Sequence, residues 1–384
     1  MRFETYTMED ALEEIIDYRG KTPKKSDSGI PTLSAKSVKN NHIDYSLCYY
    51  ISPDEYKHFM VRGFPKVGDV LLTTEAPMGM VARLDRDDIG IAQRLLTLRG
   101  KTGVLDNEYL LYFLQSSIGQ SLLKARETGT TVTGIKQAEF RKIQIDIPEI
   151  SVQKKIGGIL RSLDQKIEIN NKINKNLADL LQTVYQERFG DIESAKNQGT
   201  LSDICTYSKE KVVISALNTS NYFSTENMLV DKGGATIASS LPTVSQTTAC
   251  HKGDTLISNI RPYFKKIVYC EDDCGCSTDV LCFTPNQPQY SAYLFCVLYA
   301  DSFFTFMVAG AKGTKMPRGD KQQIMTYPVT LPSNEELEEF NAIALPALEQ
   351  IHSNRVENKS LSAMRDTLLP KLMSGELDVS DIDI

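Results

Sequence analysis

The sequence predicts an α+β protein built as a tandem repeat, in which each half holds a domain of mixed sheet and short helices followed by one long helix. Self-similarity at a fixed offset is the main observation, because a repeat constrains the fold more strongly than any single motif. KVGDVLLT at 66–73 is echoed by HKGDTLIS at 251–258, and YLLYFLQS at 109–116 is echoed by YLFCVLYA at 293–300. The offset is about 184 residues, so two related halves account for the 384-residue chain.

Each half is predicted to end in a strand closed by proline and then in a long helical segment. The prolines are Pro148 and Pro332, at the same repeat offset. Proline suits the end of a strand because it cannot donate a hydrogen bond to the ladder. The predicted regions are a first domain at 1–150, a first spacer helix at 151–190, a second domain at 191–332, and a second spacer helix with a C-terminal tail at 333–384.

Both long segments carry apolar residues at alternating spacings of three and four, the pattern of a coiled-coil seam. Asparagines recur in this seam at the same repeat offset, as Asn170 and Asn174 in the first helix and Asn354 and Asn358 in the second. Seam asparagines are expected to favour one register, because a slipped pairing would leave their amides facing hydrocarbon. The alternative is a polar middle that faces solvent. The two seams can be buried on each other in either orientation, and Pro346 is expected to kink or delay the second helix.

The composition is that of an ordinary globular protein, with 41% hydrophobic residues, 24% charged residues and a formal net charge of -6. A small DNA-binding domain is usually basic, so any DNA contact here must use local basic patches. The N-terminal MRFETYTMEDALEEII carries acidic residues where a signal peptide would be positively charged, and no apolar run reaches the roughly 18 residues needed to span a bilayer. We therefore expect a cytoplasmic protein.

Seven of the eight cysteines fall in one segment, which raises the question of a metal site. The spacing of Cys270, Cys274, Cys276 and Cys282 lacks the paired C-x2-C knuckles of structural zinc sites. In a reducing compartment, free thiols serve as small hydrophobic side chains. No metal site is predicted.

DYRGKTP at 17–23 contains the Gly-Lys-Thr that ends a phosphate-binding loop. Such a loop needs a glycine five positions before its second glycine, and the chain has Ile15 there. The preceding EDALEEII reads as helix, whereas a strand should lead into the loop. Gly20 and Pro23 fit a simple turn instead.

Other catalytic classes find no support in the sequence. The chain has neither the glycine-rich cofactor loop nor the Asn/Asp-Pro-Pro-aromatic motif expected of an adenine methyltransferase. Its four histidines are too scattered to suggest a triad or a metal cluster. No catalytic residue is predicted.

Two related but divergent domains at a set separation suit a protein that reads two sites on one elongated ligand. B-DNA is the natural candidate, because its helical turn of about 34 Å relates a fixed distance between two domains to a fixed spacing between two half-sites. Cations are interleaved with glycines, hydroxyls and aromatics in four segments, namely 21–25, 128–137, 261–266 and 311–321. A single lysine is usually a solvated surface residue, so the prediction depends on the clusters. The candidate DNA-binding residues are Lys21, Lys24, Lys25, Lys36, Thr130, Thr131, Lys136, Arg261, Lys265, Lys266, Lys312, Lys315, Arg318 and Lys321.

These segments resemble a known family, the specificity subunits of type I restriction-modification systems. DYRGKTP, then GIPTLSAKSVKNNHID at 29–44 and GDVLLTTEAPMG at 68–79, resemble the start of the family's first target-recognition domain. GDTLISNIRPYFKKIVY at 253–269 and GTKMPRGDKQQIM at 313–325 resemble a second such domain, and LLPKLMSGEL at 368–377 resembles the usual C-terminal ending. The similarity covers nearly the whole chain.

The resemblance implies two target-recognition domains separated by two long antiparallel coiled-coil helices. It further implies a non-catalytic subunit that recognises a bipartite, gapped DNA sequence and on which two methyltransferase subunits dock. Those subunits would methylate adenine with S-adenosylmethionine, and restriction subunits would add translocation and cleavage that depend on ATP and Mg. No cofactor is expected on this chain itself. An interaction scaffold without an active methyltransferase partner, and an enzyme that itself binds S-adenosylmethionine or ATP, remain alternatives.

Overall fold

A computed structural model describes residues 1–129, 133–193 and 195–382 of the chain. The chain divides into two units, of which the first comprises Met1–Glu168 with Asn358–Ile384 and the second comprises Ile169–Glu357. Each unit therefore contains one sheet-rich domain and a part of both long helices.

The first unit is built mainly from strands, with short helices between them. Its strands are β1 (Phe3–Thr7), β2 (Leu12–Asp17), β3 (Lys25–Ser26), β4 (Ile30–Leu33), β5 (Val38–Lys39), β6 (His42–Ile43), β7 (Tyr49–Ile51), β8 (Val70–Thr73), β9 (Val81–Arg83), β10 (Gly90–Ile91), β11 (Leu95–Gly100) and β12 (Gln144–Pro148). Its helices are α1 (Met8–Ala11), α2 (Pro53–Phe59), α3 (Asn107–Gln115), α4 (Ser117–Ala125), α5 (Gln137–Arg141) and a 3₁₀ turn at Tyr45–Leu47. The long helix α6 (Ile150–Phe189) begins in this unit and ends in the second.

The second unit has a similar sequence of elements. Its strands are β13 (Gln198–Thr200), β14 (Cys205–Tyr207), β15 (Lys211–Val213), β16 (Tyr222–Phe223), β17 (Gln246–Cys250), β18 (Thr255–Ser258), β19 (Ile267–Tyr269), β20 (Cys274–Cys276), β21 (Val280–Pro285) and β22 (Pro328–Thr330). Its helices are α7 (Leu201–Ile204), α8 (Ser291–Tyr299), α9 (Asp301–Ala309), α10 (Lys321–Met325) and 3₁₀ turns at Ile214–Ala216, Pro262–Phe264 and Pro288–Tyr290. The long helix α11 (Asn334–Ser374) begins here and ends in the first unit.

The repeat seen in the sequence is also a repeat of sheet topology. The central sheet has the antiparallel order β2-β11-β8-β9 in the first unit and β14-β21-β18-β19 in the second. A two-stranded ladder joins the start of each domain to its exit strand, as β1 with β12 and as β13 with β22. The remaining four-stranded sheets differ, with orders β10-β4-β7-β3 and β15-β17-β20-β16. The two domains therefore share a central sheet and diverge in the other one.

The repeated Gly-Asp pair has a structural reason at its glycine. Gly68 and Gly253 take left-handed backbone angles, with φ of 92° and 93°, which favour glycine. Their N–H groups donate to the carbonyls of Leu84 and Cys270, each at 2.8 Å. The same tight turn therefore leads into β8 and into β18.

Each unit has its own hydrophobic core. The main core of the first unit joins side chains of the central sheet, α3 and both long helices, including Leu72, Tyr109, Ile156 and Leu372. A second core in that unit joins side chains of the divergent sheet, such as Leu33, to side chains of the central sheet, such as Ile16 and Leu71. Burial of these side chains from water is the main stabilising contribution to such a fold.

The main core of the second unit is richer in aromatic rings and includes Phe283, Tyr293 and Phe340. A smaller cluster packs the thiols of Cys250, Cys270, Cys274, Cys276 and Cys282 with other buried side chains.

The long helices run antiparallel in the first unit. Arg365 Nη1 of α11 donates to Asp164 Oδ1 at 2.8 Å, and Lys155 Nζ donates at 2.6 Å to the carbonyl of Ser380, in the tail that follows α11. The residue number of the contact partner rises as the residue number in α6 falls, as expected for an antiparallel pair.

The same direction holds in the second unit. Asn354 Nδ2 donates to Asn174 Oδ1 at 2.8 Å, and Arg188 Nη1 lies 3.0 Å from Glu339 Oε2. The predicted fold class, two repeated α+β domains with two long antiparallel coiled-coil helices, is therefore confirmed.

One local prediction is wrong. EDALEEII was expected to be helical, but only Met8–Ala11 is helix, and Leu12–Asp17 is a strand. Pairing with β11 places Ile16 opposite Thr97 and buries the Ile16 side chain, and this tertiary contact overrides local propensity. Of the two effects expected of Pro346, a delayed start of the second helix does not occur, because α11 begins at Asn334, and a kink stays a prediction.

Within the described residues, no single helix is both long and apolar enough to cross a membrane. One bent pair, Pro288–Tyr299 with Asp301–Ala309, meets the length and composition requirements together, with an angle of 67° between its members. Both members contribute side chains to the main core of the second unit.

Candidate nucleic-acid interface

Two cation-bearing segments of the second domain meet after β18. We name the segments 259–266 and 311–321 the second loop pair. Ile260 forms an antiparallel bridge with Arg318, and Arg261 N–H donates to the carbonyl of Pro317 at 2.8 Å. Lys312 and Arg318 exchange both backbone hydrogen bonds, each at 2.9 Å. The structure therefore brings together the two clusters that the sequence placed about 50 residues apart.

The backbone of this loop pair is held in an unusual conformation. Arg261 and Lys265 take left-handed angles, with φ of 51° and 49°, on either side of the 3₁₀ turn Pro262–Phe264. Such angles cost free energy for residues other than glycine, and they persist only where the surroundings impose them, often at functional sites. The Arg261 Nε is buried and has no hydrogen-bond partner among the described residues. The Tyr263 side chain beside it is 49% exposed.

Three of the seven cations in the second loop pair, Lys265, Lys312 and Arg318, have acidic partners. Lys312 pairs with Asp320 and Arg318 lies 3.0 Å from Asp279. Lys315, by contrast, is exposed on the tip of the segment. Since exposed ion pairs contribute only about 0–1 kcal/mol, a phosphate could exchange with these carboxylates at small cost.

The remaining candidates of the second domain are less available. Lys265 Nζ lies 2.8 Å from Asp301, which also pairs with Lys232. Lys266 Nζ donates to the carbonyl of Thr225 at 2.6 Å, and partial burial lowers the pKa of its ammonium group. Lys266 is therefore engaged with the domain itself.

Lys321 lies at the start of α10, on the C-terminal side of the second loop pair. Its ammonium group lies 5.8 Å from the ring centroid of Tyr207, within the range of a weak cation–π contact. The Lys321 side chain is nevertheless exposed.

The first domain repeats this arrangement after β8. We name the segments 74–80 and 128–136 the first loop pair, without residues 130–132. Gly134 forms bridges with both Glu75 and Thr128, and Ile135 N–H donates to the carbonyl of Thr74 at 3.0 Å. The bridges of Gly134 correspond to those of Arg318 in the second domain.

Ala76 stands where the second domain has Arg261, and it has nearly the same angle, with φ of 54°. Lys136 is exposed and immediately precedes α5. The candidates Thr130 and Thr131 lie outside the described residues.

The other candidates of the first domain lie on two different sheets. The turn that contains Lys21 follows β2, and Lys21 N–H donates to the carbonyl of Tyr18 at 3.1 Å. β2 ends at Asp17 and β8 ends at Thr73, and these residues pair with Leu96 and Leu95 at the start of β11. The turn that contains Lys21 and the first loop pair therefore leave the central sheet at the same end of its strands. DYRGKTP is thus a turn at the same end of the central sheet as the candidate loops.

Lys24, Lys25 and Lys36 belong to the divergent sheet and its connections. Lys25 is part of β3 and lies 4.7 Å from the ring centroid of Tyr49. Lys24 N–H donates to Glu55 Oε1 at 2.8 Å, and Lys36 is exposed after β4. The structure does not group these three lysines with the first loop pair.

Arg94 is a cation at the first loop pair that the sequence interpretation missed. Its Nε lies 2.7 Å from Glu75 Oε1, and its backbone is left-handed, with φ of 72°. A lone arginine in AQRLL has no motif around it. The signal that could have found it is the repeat offset, which aligns Arg94 with Asp279.

Three of the seam asparagines, Asn170, Asn174 and Asn354, lie between the two long helices in the second unit, whereas Asn358 belongs to the first unit. Asn170 and Asn354 are buried, at 1% and 5% exposure. Asn170 Nδ2 donates to Glu357 Oε2 at 2.7 Å, and Asn354 bonds to Asn174 as given above. Asn358, at the same repeat offset, is half-buried. Their effect on helix register stays a prediction.

The cysteine-rich segment is packed into the interior of the second domain. Cys270 Sγ and Cys274 Sγ lie 3.6 Å apart, and Cys282 Sγ lies 3.2 Å from Asp254 Oδ2. Among the residues that the structure describes, no group of three or more His, Cys, Asp or Glu side chains is arranged to hold a metal ion.

Comparison with known proteins shows what the chain is similar to. Residues 7–178 match the family model described as a type I restriction modification DNA specificity domain. A specificity subunit of the type I restriction enzyme MjaIX from Methanocaldococcus jannaschii is 25% identical over 92% of this chain and 88% of its own length. The HindI specificity subunit of Haemophilus influenzae is 25% identical over 36% of this chain and 31% of its own length.

These comparisons show that the chain is similar to type I restriction-modification specificity subunits, the family that its sequence resembles. The fold agrees, because the crystal structure of a type I restriction-modification S subunit from M. genitalium covers 97% of this chain and 96% of its own, with a TM-score of 0.57 and 17% identity.

Proposed function

We propose that this chain recognises a bipartite, gapped sequence in double-stranded DNA and carries the methyltransferase and restriction subunits of a type I complex. Each domain reads one half-site through its loop pair. The observation that carries the proposal is the repetition of the loop pairs, which follow equivalent strands and are pinned by equivalent bridges but carry different side chains. Equal frameworks with unequal side chains suit two different half-sites.

The chemistry of the loops supports contact with DNA. Lysine and arginine bind phosphates and set the register, whereas arginine can also read a guanine edge with two hydrogen bonds. The exposed pairs of Lys312 with Asp320 and of Arg318 with Asp279 can open for such contacts. With a net charge of -6, partner subunits are proposed to supply a large part of the phosphate contacts. A steep salt dependence of DNA binding by the isolated chain would contradict this last point.

The long helices support the scaffolding part of the proposal. α6 and α11 have 40 and 41 residues, and both pass from one unit into the other. We propose that their length sets the gap between the half-sites and that two methyltransferase subunits dock on this scaffold. These partners and the restriction subunits bring S-adenosylmethionine, ATP and Mg, while the chain itself needs no cofactor and works in the cytoplasm.

The first test is genome-wide detection of N6-methyladenine in the source cell, with the gene intact and with it deleted. We expect one gapped, two-part motif to lose methylation on deletion. Unchanged methylation would overturn the proposal and favour an interaction scaffold without an active methyltransferase partner.

A sharper test uses Arg261→Gly, because glycine accepts the left-handed angle of Arg261 and the variant removes only the side chain. We expect discrimination at one base pair of the second domain's half-site to fall by about 5- to 150-fold, the range for a bidentate contact, with the other half-site unaffected. The measurement is DNA binding by the assembled complex on substrates with single base-pair changes.

Lys252→Ala is the matched control for Arg261→Gly. Lys252 is an exposed cation that precedes β18, at the opposite end of that strand from the loop pair. It should leave both half-sites readable. Full retention of specificity by Arg261→Gly would exclude Arg261 as a base-reading residue.

A further inference from the structure

The repeat allows the loop pairs of the two domains to be compared position by position. Thr74 N–H donates to the carbonyl of Arg94 at 3.0 Å, and Asn259 N–H donates to the carbonyl of Asp279 at 2.8 Å. The offset in both cases is about 185 residues, the same as between Gly68 and Gly253. Arg94 and Asp279 are therefore structural equivalents, each placed just before the central strand β11 or β21.

The charges at these equivalent positions are reversed. In the first domain, Arg94 Nε lies 2.7 Å from Glu75 on the neighbouring loop. In the second domain, Asp279 lies 3.0 Å from Arg318 on the neighbouring loop. Each loop pair thus holds one arginine against one carboxylate, but the arginine stands on the opposite side of the pair.

Among the positions equivalent to Glu75, Ala76, Arg94 and Gly134, the second domain has two arginines, Arg261 and Arg318. The first domain has one cation in this set, Arg94. A loop pair that reads DNA with an arginine must therefore use Arg94 in the first domain.

The backbone at Arg94 supports a functional interpretation. Its φ of 72° lies in the left-handed region, where glycine or asparagine would be expected. The hydrogen bond from Thr74 and the pairing of Leu95 with Thr73 impose this angle from both sides. A costly backbone angle at a long charged residue is typical of functional sites, where it aims a side chain.

The side chain is also accessible. The Arg94 side chain is 51% exposed, and that of Glu75 is 23% exposed. Among the described residues, Glu75 is the ion partner that the structure gives to Arg94, and the contact uses Nε. The guanidinium is thus held in one orientation by a carboxylate but is still presented to solvent.

We propose that Arg94 is a specificity-determining residue of the first domain and that it reads a guanine in the first half-site. A guanidinium can donate two parallel hydrogen bonds to O6 and N7 of guanine in the major groove, which distinguishes guanine from the other bases. Glu75 is a positioning residue that orients Arg94 before DNA arrives. This inference rests on the proposed function and assigns its first half-site contact.

The experiment compares Arg94→Gly and Arg94→Lys with the wild-type chain in the assembled complex with its methyltransferase subunits. Glycine accepts the left-handed angle, so Arg94→Gly removes the side chain without adding backbone strain. Lysine keeps the charge but loses the fork of donors. The readouts are the N6-methyladenine motif in cells and the binding of DNA substrates with single base-pair changes.

We expect Arg94→Gly to lower discrimination at one G·C pair of one half-site by about 5- to 150-fold, with the other half-site unchanged. Arg94→Lys should lose most of the same discrimination but retain more of its affinity for DNA. Arg86→Ala is the control, because Arg86 is a partly exposed arginine of the same domain that pairs with Asp88 away from the loop pair. It should leave the motif intact, and all variants should unfold at the wild-type temperature within a few degrees.

Two outcomes contradict different claims. If the wild-type complex methylates a bipartite motif and Arg94→Gly retains the same preference at every base pair, the assignment of Arg94 is overturned and the proposed function stands. If the wild-type complex has no bipartite motif, the proposed function fails, and the assignment fails with it.

Discussion

The first domain contacts the long helices through a hydrophobic core and a buried carboxylate, whereas the second domain contacts them through a core rich in aromatic rings. Asp164 of α6 is 2% exposed, and its carboxylate accepts hydrogen bonds from three side chains. Tyr112 Oη donates to it at 2.7 Å, Arg365 Nη1 donates at 2.8 Å, and Asn41 Nδ2 is the third donor. These donors come from α3, from α11 and from the connection between β5 and β6.

At the second junction, where the second domain contacts the long helices, aromatic rings stand in place of this polar network. Phe189 of α6 lies 5.1 Å from the ring of Tyr293 and 5.6 Å from that of Phe340, both edge-on. Tyr185, one turn earlier, lies 5.8 Å from Tyr293. These edge-to-face contacts add to the burial of apolar area.

The difference between the two junctions shows which part of the repeat is constrained. The position equivalent to Asp164 in the second half is Leu348, which is also buried. The same helix positions therefore face the domain in both halves, but the chemistry of the contact differs between them. A carboxylate that loses its donors in a slipped pairing would be costly, so the first junction is expected to favour one arrangement more strongly than the second.

The largest expected effect comes from removing a ring at the second junction. Phe340→Ala should lower the free energy of unfolding of the second unit by about 3–5 kcal/mol, because it deletes a fully buried ring and leaves a cavity. The chain has no tryptophan, so peptide-resolved hydrogen exchange in urea is the suitable measurement. Leu345→Ala, at a 42% exposed position of the same helix, should cost about 0.5 kcal/mol or less. Equal losses for the two variants would show that the aromatic cluster does not hold this junction.

A smaller effect is expected from neutralising the carboxylate of the first junction. In Asp164→Asn, an amide NH₂ must replace one of the two oxygens, so at least one donor of the network would face another donor. We expect a loss of about 1.5–3 kcal/mol, the usual contribution of a hydrogen bond to a charged group. The loss should appear in the first unit, with faster hydrogen exchange between Val38 and Ile43.

Asp366→Asn is the matched control for Asp164→Asn. Asp366 pairs with the same arginine, Arg365, at 2.8 Å, but its side chain is 65% exposed. Its loss should be within about 0–1 kcal/mol. If Asp366→Asn destabilised the first unit as much as Asp164→Asn does, burial of the first carboxylate would not matter.

The sequence predicted the repeated parts of the molecule well and the tertiary contacts poorly. The Gly-Asp turns and the seams depend on local backbone angles and periodicity, which the sequence displays directly. The strand at Leu12–Asp17 was missed because it forms through pairing with β11, about 80 residues away. Local propensity contains no information about such a partner.

The candidate interface shows the same limit. The clusters around Arg261 and Arg318 were predicted as DNA-binding residues, and the structure brings them together by backbone bridges. That Lys266 would turn toward Thr225 could not be predicted, because the two residues are distant in sequence. No local motif marks Arg94, and it is recognised through its equivalence with Asp279 at the repeat offset.

The third effect concerns a carboxyl group on the second domain, that of Glu271, whose environment differs from that of Asp164. Burial raises the pKa of Glu271 to about 7, although Lys252 and Arg355 lower it. The folded state therefore holds this proton more tightly than the unfolded state, in which the carboxyl titrates near 4.5. The associated stability is fully present below pH 4.5 and is lost as the pH rises through about 7. Hydrogen-bond donors stabilise the carboxylate of Asp164, whereas burial favours the protonated form of the Glu271 carboxyl group.

Glu271→Gln should accordingly flatten the fall in the Tm of the second unit between pH 4.5 and about 7, because glutamine does not titrate. Asp272→Asn is the control, since the side chain of this adjacent residue is 82% exposed. The control should keep nearly the wild-type slope of Tm against pH. A wild-type slope in Glu271→Gln would mean that Glu271 is as well solvated in the folded chain as in the unfolded one.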